Sequence, residues 1–163
     1  MANTTKSLTK IISIFQDLAD RHMMVNDFGY GPSYNIGADN EMKFPYIWVE
    51  NNNTVSQLGL NGLKTNLYTF TIYSMDKINF GENNYNDIIS DTHYIMDTIL
   101  SEINQHPYYV EMGLSIDGDV NFTPVVEATD DNVNGWSIDL TLKQAIRWTY
   151  CDSPITPITA TAC

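Results

Sequence analysis

The run Phe70-Thr71-Ile72-Tyr73-Ser74-Met75-Asp76-Lys77, followed after an Asn-rich turn by a helical pattern from Asp87 to Ile103, constrains this chain more than any other stretch. β-Branched and aromatic residues suit a pleated strand. The apolar residues beyond the turn recur at the 3.6-residue period of an amphipathic helix. The turn itself, Ile78-Asn79-Phe80-Gly81-Glu82-Asn83-Asn84, carries no nucleophile, metal cluster or glycine fingerprint. An α/β enzyme places its phosphate loop or catalytic groups at such a strand-to-helix crossover. Their lack at this junction moves the expectation from enzyme towards scaffold.

The rest of the chain supplies partners for that unit. Leu8, Ile11, Ile12, Phe15, Leu18 and Ala19 share one face of a first helix over residues 7–24, with Lys10, Asp17 and Arg21 opposite. Thr5 or Ser7 can cap its start, and Asn26-Asp27-Phe28-Gly29 is expected to stop it. Only short extended pieces, near Phe28 and from Tyr34 to Ile36, fit the Gly/Tyr/Pro-rich stretch that follows. Tyr46-Ile47-Trp48-Val49-Glu50 opens a strand expected over 46–56, and a second covers 65–76. Asn61-Gly62 between extended segments signals a hairpin, whose tip would carry Leu58, Leu60 and Leu63.

The second helix, expected over 85–104, buries Ile88, Ile89, Ile95, Met96, Ile99, Leu100 and Ile103. Tyr94 projects away from that stripe, and Pro107 forces the end. Strands are expected over 120–128 and 135–148. In the latter Trp136, Ile138, Leu140 and Leu142 face one way and Ser137, Asp139, Thr141 and Lys143 the other. A turn through Asp130-Asp131-Asn132 makes these a second hairpin. The expected fold is therefore α+β: a mainly antiparallel sheet built from two hairpins and packed by two amphipathic helices. Residues 1–150 form one domain, and 151–163, with Pro154 and Pro157, form an extended arm on which Ile155 and Ile158 are spaced like anchors.

Charge bears on partners. Twenty acidic residues against eight basic give a formal charge of −12, which repels nucleic-acid phosphates and anionic membrane surfaces. No apolar run reaches membrane-spanning length and no secretory pattern opens the chain, so a cytosolic site of synthesis is expected. Cys151 and Cys163 both fall in the arm. They could close a small loop, although a reducing compartment favours free thiols.

Chemistry is hard to build from what remains. His22, His93 and His106 are dispersed, without the spacing of a zinc site. His93 reads as an edge residue of the second helix's apolar face. Asp117/Asp119 and Asp130/Asp131 lack a calcium-loop pattern and read as solvated turn residues. Tyr46, Trp48, Tyr108 and Tyr109 would suit sugar stacking or the packing of a sheet. Cys151 with His22 or His106 would be a nucleophile on a tail, and Gly-x-Ser-x-Gly is missing. We expect no enzymatic activity, no cofactor and no metal.

The segments Phe44-Pro45-Tyr46-Ile47-Trp48-Val49, Phe70 to Asp76, Asn86-Asp87-Ile88-Ile89-Ser90-Asp91-Thr92 and Gly135-Trp136-Ser137-Ile138-Asp139-Leu140 carry a resemblance, together with the Cys151-to-Pro154 tail. In that order of helix, hairpin, helix, hairpin and tail, the chain resembles neck proteins of tailed bacteriophages, in particular tail-terminator or tail-completion-like ring proteins of crAss-like phages. The resemblance implies a tail-terminator-like fold and a non-enzymatic virion subunit, assembled in the host cytoplasm. Copies would form a homo-oligomeric ring at the head–tail junction or tail end, contacting other neck, portal or tail proteins. DNA would pass through the lumen without specific binding, helped by an acidic wall. Leu58, Leu60, Leu63, Tyr94, Ile155 and Ile158 are the expected interface residues. The competing reading is a small aromatic-rich carbohydrate- or peptide-binding module, and an unrecognised hydrolase is a third.

Overall fold

The computed structural model describes residues 7–36, 42–59, 63–78, 84–126 and 132–147. The first helix, α1 (Leu8–Arg21), starts where the Ser7 hydroxyl accepts the Lys10 N–H. It buries Ile11, Ile14, Phe15, Leu18 and Ala19. Ile14 joins the expected stripe, whereas Ile12 is only half-buried. The helix ends short of residue 24 because His22 adopts an extended backbone and its Nδ1 accepts the Met24 N–H at 3.2 Å. The presumed stop signal then becomes a strand, β1 (Asp27–Tyr30). Pro32 opens a single 3₁₀ turn, Ser33–Asn35, where an extended piece was expected. Proline's fixed φ favours such a turn.

Next come β2 (Tyr46–Leu58) and β3 (Leu63–Lys77). The helix α2 (Tyr85–Gln105) follows, then a short α3 (Pro107–Glu111), β4 (Leu114–Ile116), β5 (Phe122–Val125) and β6 (Val133–Arg147). Pro107 does bound α2, and it also begins α3 at the position where its missing N–H is harmless.

These strands form a six-stranded mixed sheet of order β1-β2-β3-β6-β4, with β5 also on β6. Both expected hairpins exist. In the first, Tyr46 stands opposite Met75 and Leu58 opposite Lys64, with a bulge between Asn51 and Asn53. The strands run further than expected, so Leu58 and Leu63 belong to strands and not to a loop. In the second, Phe122 faces Ile138 and Val125 faces Gly135, a shorter β5 than expected. The extended piece expected near Phe28 is β1, but its parallel pairing with β2 was unforeseen, as was the pairing of β4 with β6 around Lys143. Thus β4 and β5 share one edge of β6.

Alternation along the strands decides what each face buries. Ile47, Val49, Tyr68, Phe70, Ile72, Ile138, Leu140 and Leu142 lie in one core with the stripes of α1 and α2. Phe15 meets Phe70 edge-on at 5.2 Å. In α2 the expected Ile89 is half-buried, and Thr92 is fully buried instead, its hydroxyl donating to the Ile88 carbonyl at 2.6 Å. His93 stacks on Phe122 at 4.3 Å, and Trp136 Nε1 donates to the Ile89 carbonyl at 2.8 Å, which fastens the start of α2 to the second hairpin. On the reverse face Tyr46, Trp48, Met75 and Val133 form a smaller core with Ile36, Met42 and Phe44. Next to it that face turns polar: Asn52 Nδ2 donates to the Thr71 hydroxyl, which donates to Asp139 Oδ1 at 2.7 Å.

Candidate interaction surface

Among the described residues, the hairpin end of β2 and β3 carries a long exposed run. Every residue from 52 to 58 is exposed. Val55 is 42% exposed, Leu58 85% and Leu63 48%. Apolar side chains this open on a regular strand are better explained by contact than by packing.

The backbone there is open as well. β1 lines β2 only from Tyr46 to Val49, and Gly31 N–H makes the last bond across, to the Val49 carbonyl at 3.1 Å. At the other end Gly59 N–H donates to the Leu63 carbonyl at 2.7 Å. In an antiparallel ladder the N–H and C=O of one residue point the same way, and successive residues alternate. Gly59 bonds inward to β3, so Leu58, Ser56 and Thr54 direct their backbone groups outward. The Asn53 side chain takes the Thr54 N–H at 2.8 Å. No described strand lies beside Ser56 or Leu58.

Edges of this kind are normally blunted by charge, proline or brevity. β1 and β5 span four residues each and β4 three, and β5 contains Pro124. From Asn51 to Leu58 the sequence is Asn-Asn-Asn-Thr-Val-Ser-Gln-Leu, without charge or proline. The bulge at Asn51 to Asn53 is its one protection.

Of the remaining expected interface residues, Tyr94 is 57% exposed on α2, a different element that packs on β3 and β6. Asp87, Asp91 and Asp97 on the same helix are also exposed. The structure therefore sets Leu58 and Leu63 at the same end of the hairpin, on opposite faces, and leaves Tyr94 apart. Leu60, Ile155 and Ile158 lie outside the described residues, as do Cys151, Cys163 and the Asp130/Asp131 pair.

Hollows lie elsewhere on the described surface. One, of about 500 Å³, is lined by Asp27, Phe28, Gly29, Tyr30, Asn35, Met42, Tyr46 and Trp48. Tyr46 and Trp48 are only 4% and 8% exposed, and Trp48 Nε1 donates to the Gly31 carbonyl at 2.9 Å. These aromatics mainly pack the reverse face. Gly29 is required here, since a Cβ would strike the Tyr46 hydroxyl and the Trp48 ring. The hollow was not legible in sequence, although a short extended piece was expected near Phe28, where β1 lies; Gly29 was read as part of a helix stop.

Another hollow, of about 220 Å³, lies between α1 and α2 against Leu18, Arg21, His22, Thr98, Ile99 and Glu102. Arg21 holds Asp17 at 2.9 Å, the Tyr109 hydroxyl at 3.0 Å and Glu102 at 3.8 Å. His22 Nε2 bonds the Thr98 hydroxyl at 2.9 Å. With Nδ1 accepting from Met24, the ring is held as the neutral Nε2–H tautomer, and burial lowers its pKa accordingly. All these groups already serve one another.

Among the described residues no three His, Cys, Asp or Glu side chains gather as a metal site, and no helix is long and apolar enough to cross a membrane. The chain matches no protein-family model, and no curated protein matches it.

Proposed function

We propose that this chain is a non-enzymatic virion structural protein of a tailed bacteriophage, a subunit of a homo-oligomeric ring at the head–tail junction or tail end. The ring joins portal to tail and lets the genome pass. One observation carries this reading: a long hairpin leaves the core with Val55, Leu58 and Leu63 exposed on an uncharged stretch of an otherwise strongly acidic chain. Such a hairpin is costly on a monomer and useful between copies. The resemblance of the strand and helix segments to phage neck proteins supplies the biological setting. The acidic surface suits a conduit through which DNA slides without sticking.

The aromatic hollow beside Tyr46 and Trp48 supports the competing reading, a carbohydrate- or peptide-binding module. The two readings differ in mass. A ring subunit gives concentration-dependent oligomers of defined stoichiometry by native mass spectrometry. A binding module stays monomeric and shows a ligand-dependent rise in Tm. A monomer at every concentration, with no loss of virion incorporation in a Leu58→Ser/Leu63→Ser variant, would remove the ring reading.

A further inference from the structure

We infer that the outer edge of β2, from Thr54 to Leu58, accepts an extended strand, and that the occupant is the C-terminal arm, residues 153–163, of a second copy of this chain. The inference rests on the ring reading and names its contact. Main-chain pairing at an open edge gives affinity, and alternate side chains give register.

Four observations favour this occupant. Among the described residues none covers the edge, and residues 52–58 are all exposed. Two copies at −12 repel one another, so they meet best where neither places a carboxylate. The edge from Asn51 to Leu58 has no charged side chain, and neither has the arm from residue 153 to 163. β6 ends with Arg147 opposite Leu63, so the arm leaves from the hairpin end of the sheet. Finally, Ile158-Thr159-Ala160-Thr161-Ala162-Cys163 is proline-free, alternates β-branched with small residues from Thr159 onward, and is of similar length to the open edge. Pro154 and Pro157 precede this stretch and keep the approach extended. Ile158 then has Val55 or Leu58 as an apolar neighbour across the new pair. Donor and acceptor are different surfaces, so each copy hands its arm to the next and the contacts propagate head to tail until they close.

Full-length variants test each half. Ser56→Pro removes an outward N–H while leaving the bonds to β3, and Ile155→Asp/Ile158→Asp places charge in the arm. Circular dichroism checks folding, and Leu58→Lys replaces Ser56→Pro if that variant unfolds. Sedimentation should show each variant weakened in self-association by about 10-fold or more. Mixed, the edge-blocked chain still has a good arm and the arm-charged chain a good edge, so they should form a 1:1 complex that grows no further. If wild type assembles and both variants assemble equally well, the pairing is overturned and the ring reading stands. Variants that each fail to assemble and also fail to combine place the arm on another surface and overturn it too. A wild-type chain that stays monomeric sinks the ring reading and this inference together.

Discussion

At the scale of single residues, two groups tie stability to pH in opposite senses. Burial lowers the His22 pKa from 6.5, because the folded chain uses the neutral ring between Met24 and Thr98. That contribution is complete above the unfolded value and is lost as pH falls through the lowered folded one. Replacing His22 with Gln should flatten the stability profile between about pH 7 and pH 5 in denaturant titrations. A wild-type profile already flat there would contradict the assigned tautomer. Asp76 behaves the other way. Burial raises its pKa from 3.8, the Lys77 N–H opposes the shift, and Asp91 adds to it. Stability from a raised carboxyl is present at acid pH and lost as pH rises, so the ionised group is a liability near neutrality. Asn can accept the same Lys77 bond, now 2.7 Å. Because the group is partly exposed, Asp76→Asn should raise Tm near pH 7 by only about 1–3 °C, with the gain vanishing in acid.

At the scale of elements, the sheet depends on close backbone approach between β3 and β6. A Cβ at Gly135 would run into the Ser74 carbonyl and the Met75 Cα. Backbone cannot yield as a side-chain tip can, so Gly135→Ala should cost about 1–3 kcal/mol, read as a lowered urea midpoint. The mating of α2 with the sheet is apolar. Ile95 is fully buried in that core, and truncation to Ala should cost about 2–5 kcal/mol. Ile99→Asp should be worse, because it buries a charge without a partner. Should Ile99→Asp melt like the wild type, the placement of α2 would be wrong.

At the scale of the whole molecule, one side of the sheet is closed by α1 and α2, the other is half closed by the segment between β1 and β2, and the hairpin end is closed by neither. A chain at −12 can associate there only against long-range repulsion. Added salt screens that repulsion, with a Debye length of about 10 Å at 0.1 M, and leaves uncharged strand pairing nearly untouched. Self-association should therefore strengthen as NaCl rises from about 0.01 to 0.3 M. A contact built on ion pairs would weaken over the same range, and light scattering separates the two.

The sequence by itself determined the elements whose signal is periodic. Trp136 to Leu142 alternates and is β6; Ile88 to Ile103 recurs every three or four residues and is α2. Both hairpins followed, because local turn chemistry and neighbouring strands suffice to pair them. The exposed leucines were legible too, although Leu58 and Leu63 turned out to lie on strands. Features that depend on distant parts of the chain became visible only in the folded molecule. Four residues at β1 have no period of their own and become a strand because Val49 and its neighbours offer them an edge. Thr92 is buried because its hydroxyl finds the Ile88 carbonyl within its own helix while sheet packs over it. The open edge at Ser56 and Leu58 exists because β1 ends at Tyr30, opposite Val49, a fact about where a second segment ends and not about the edge's own residues.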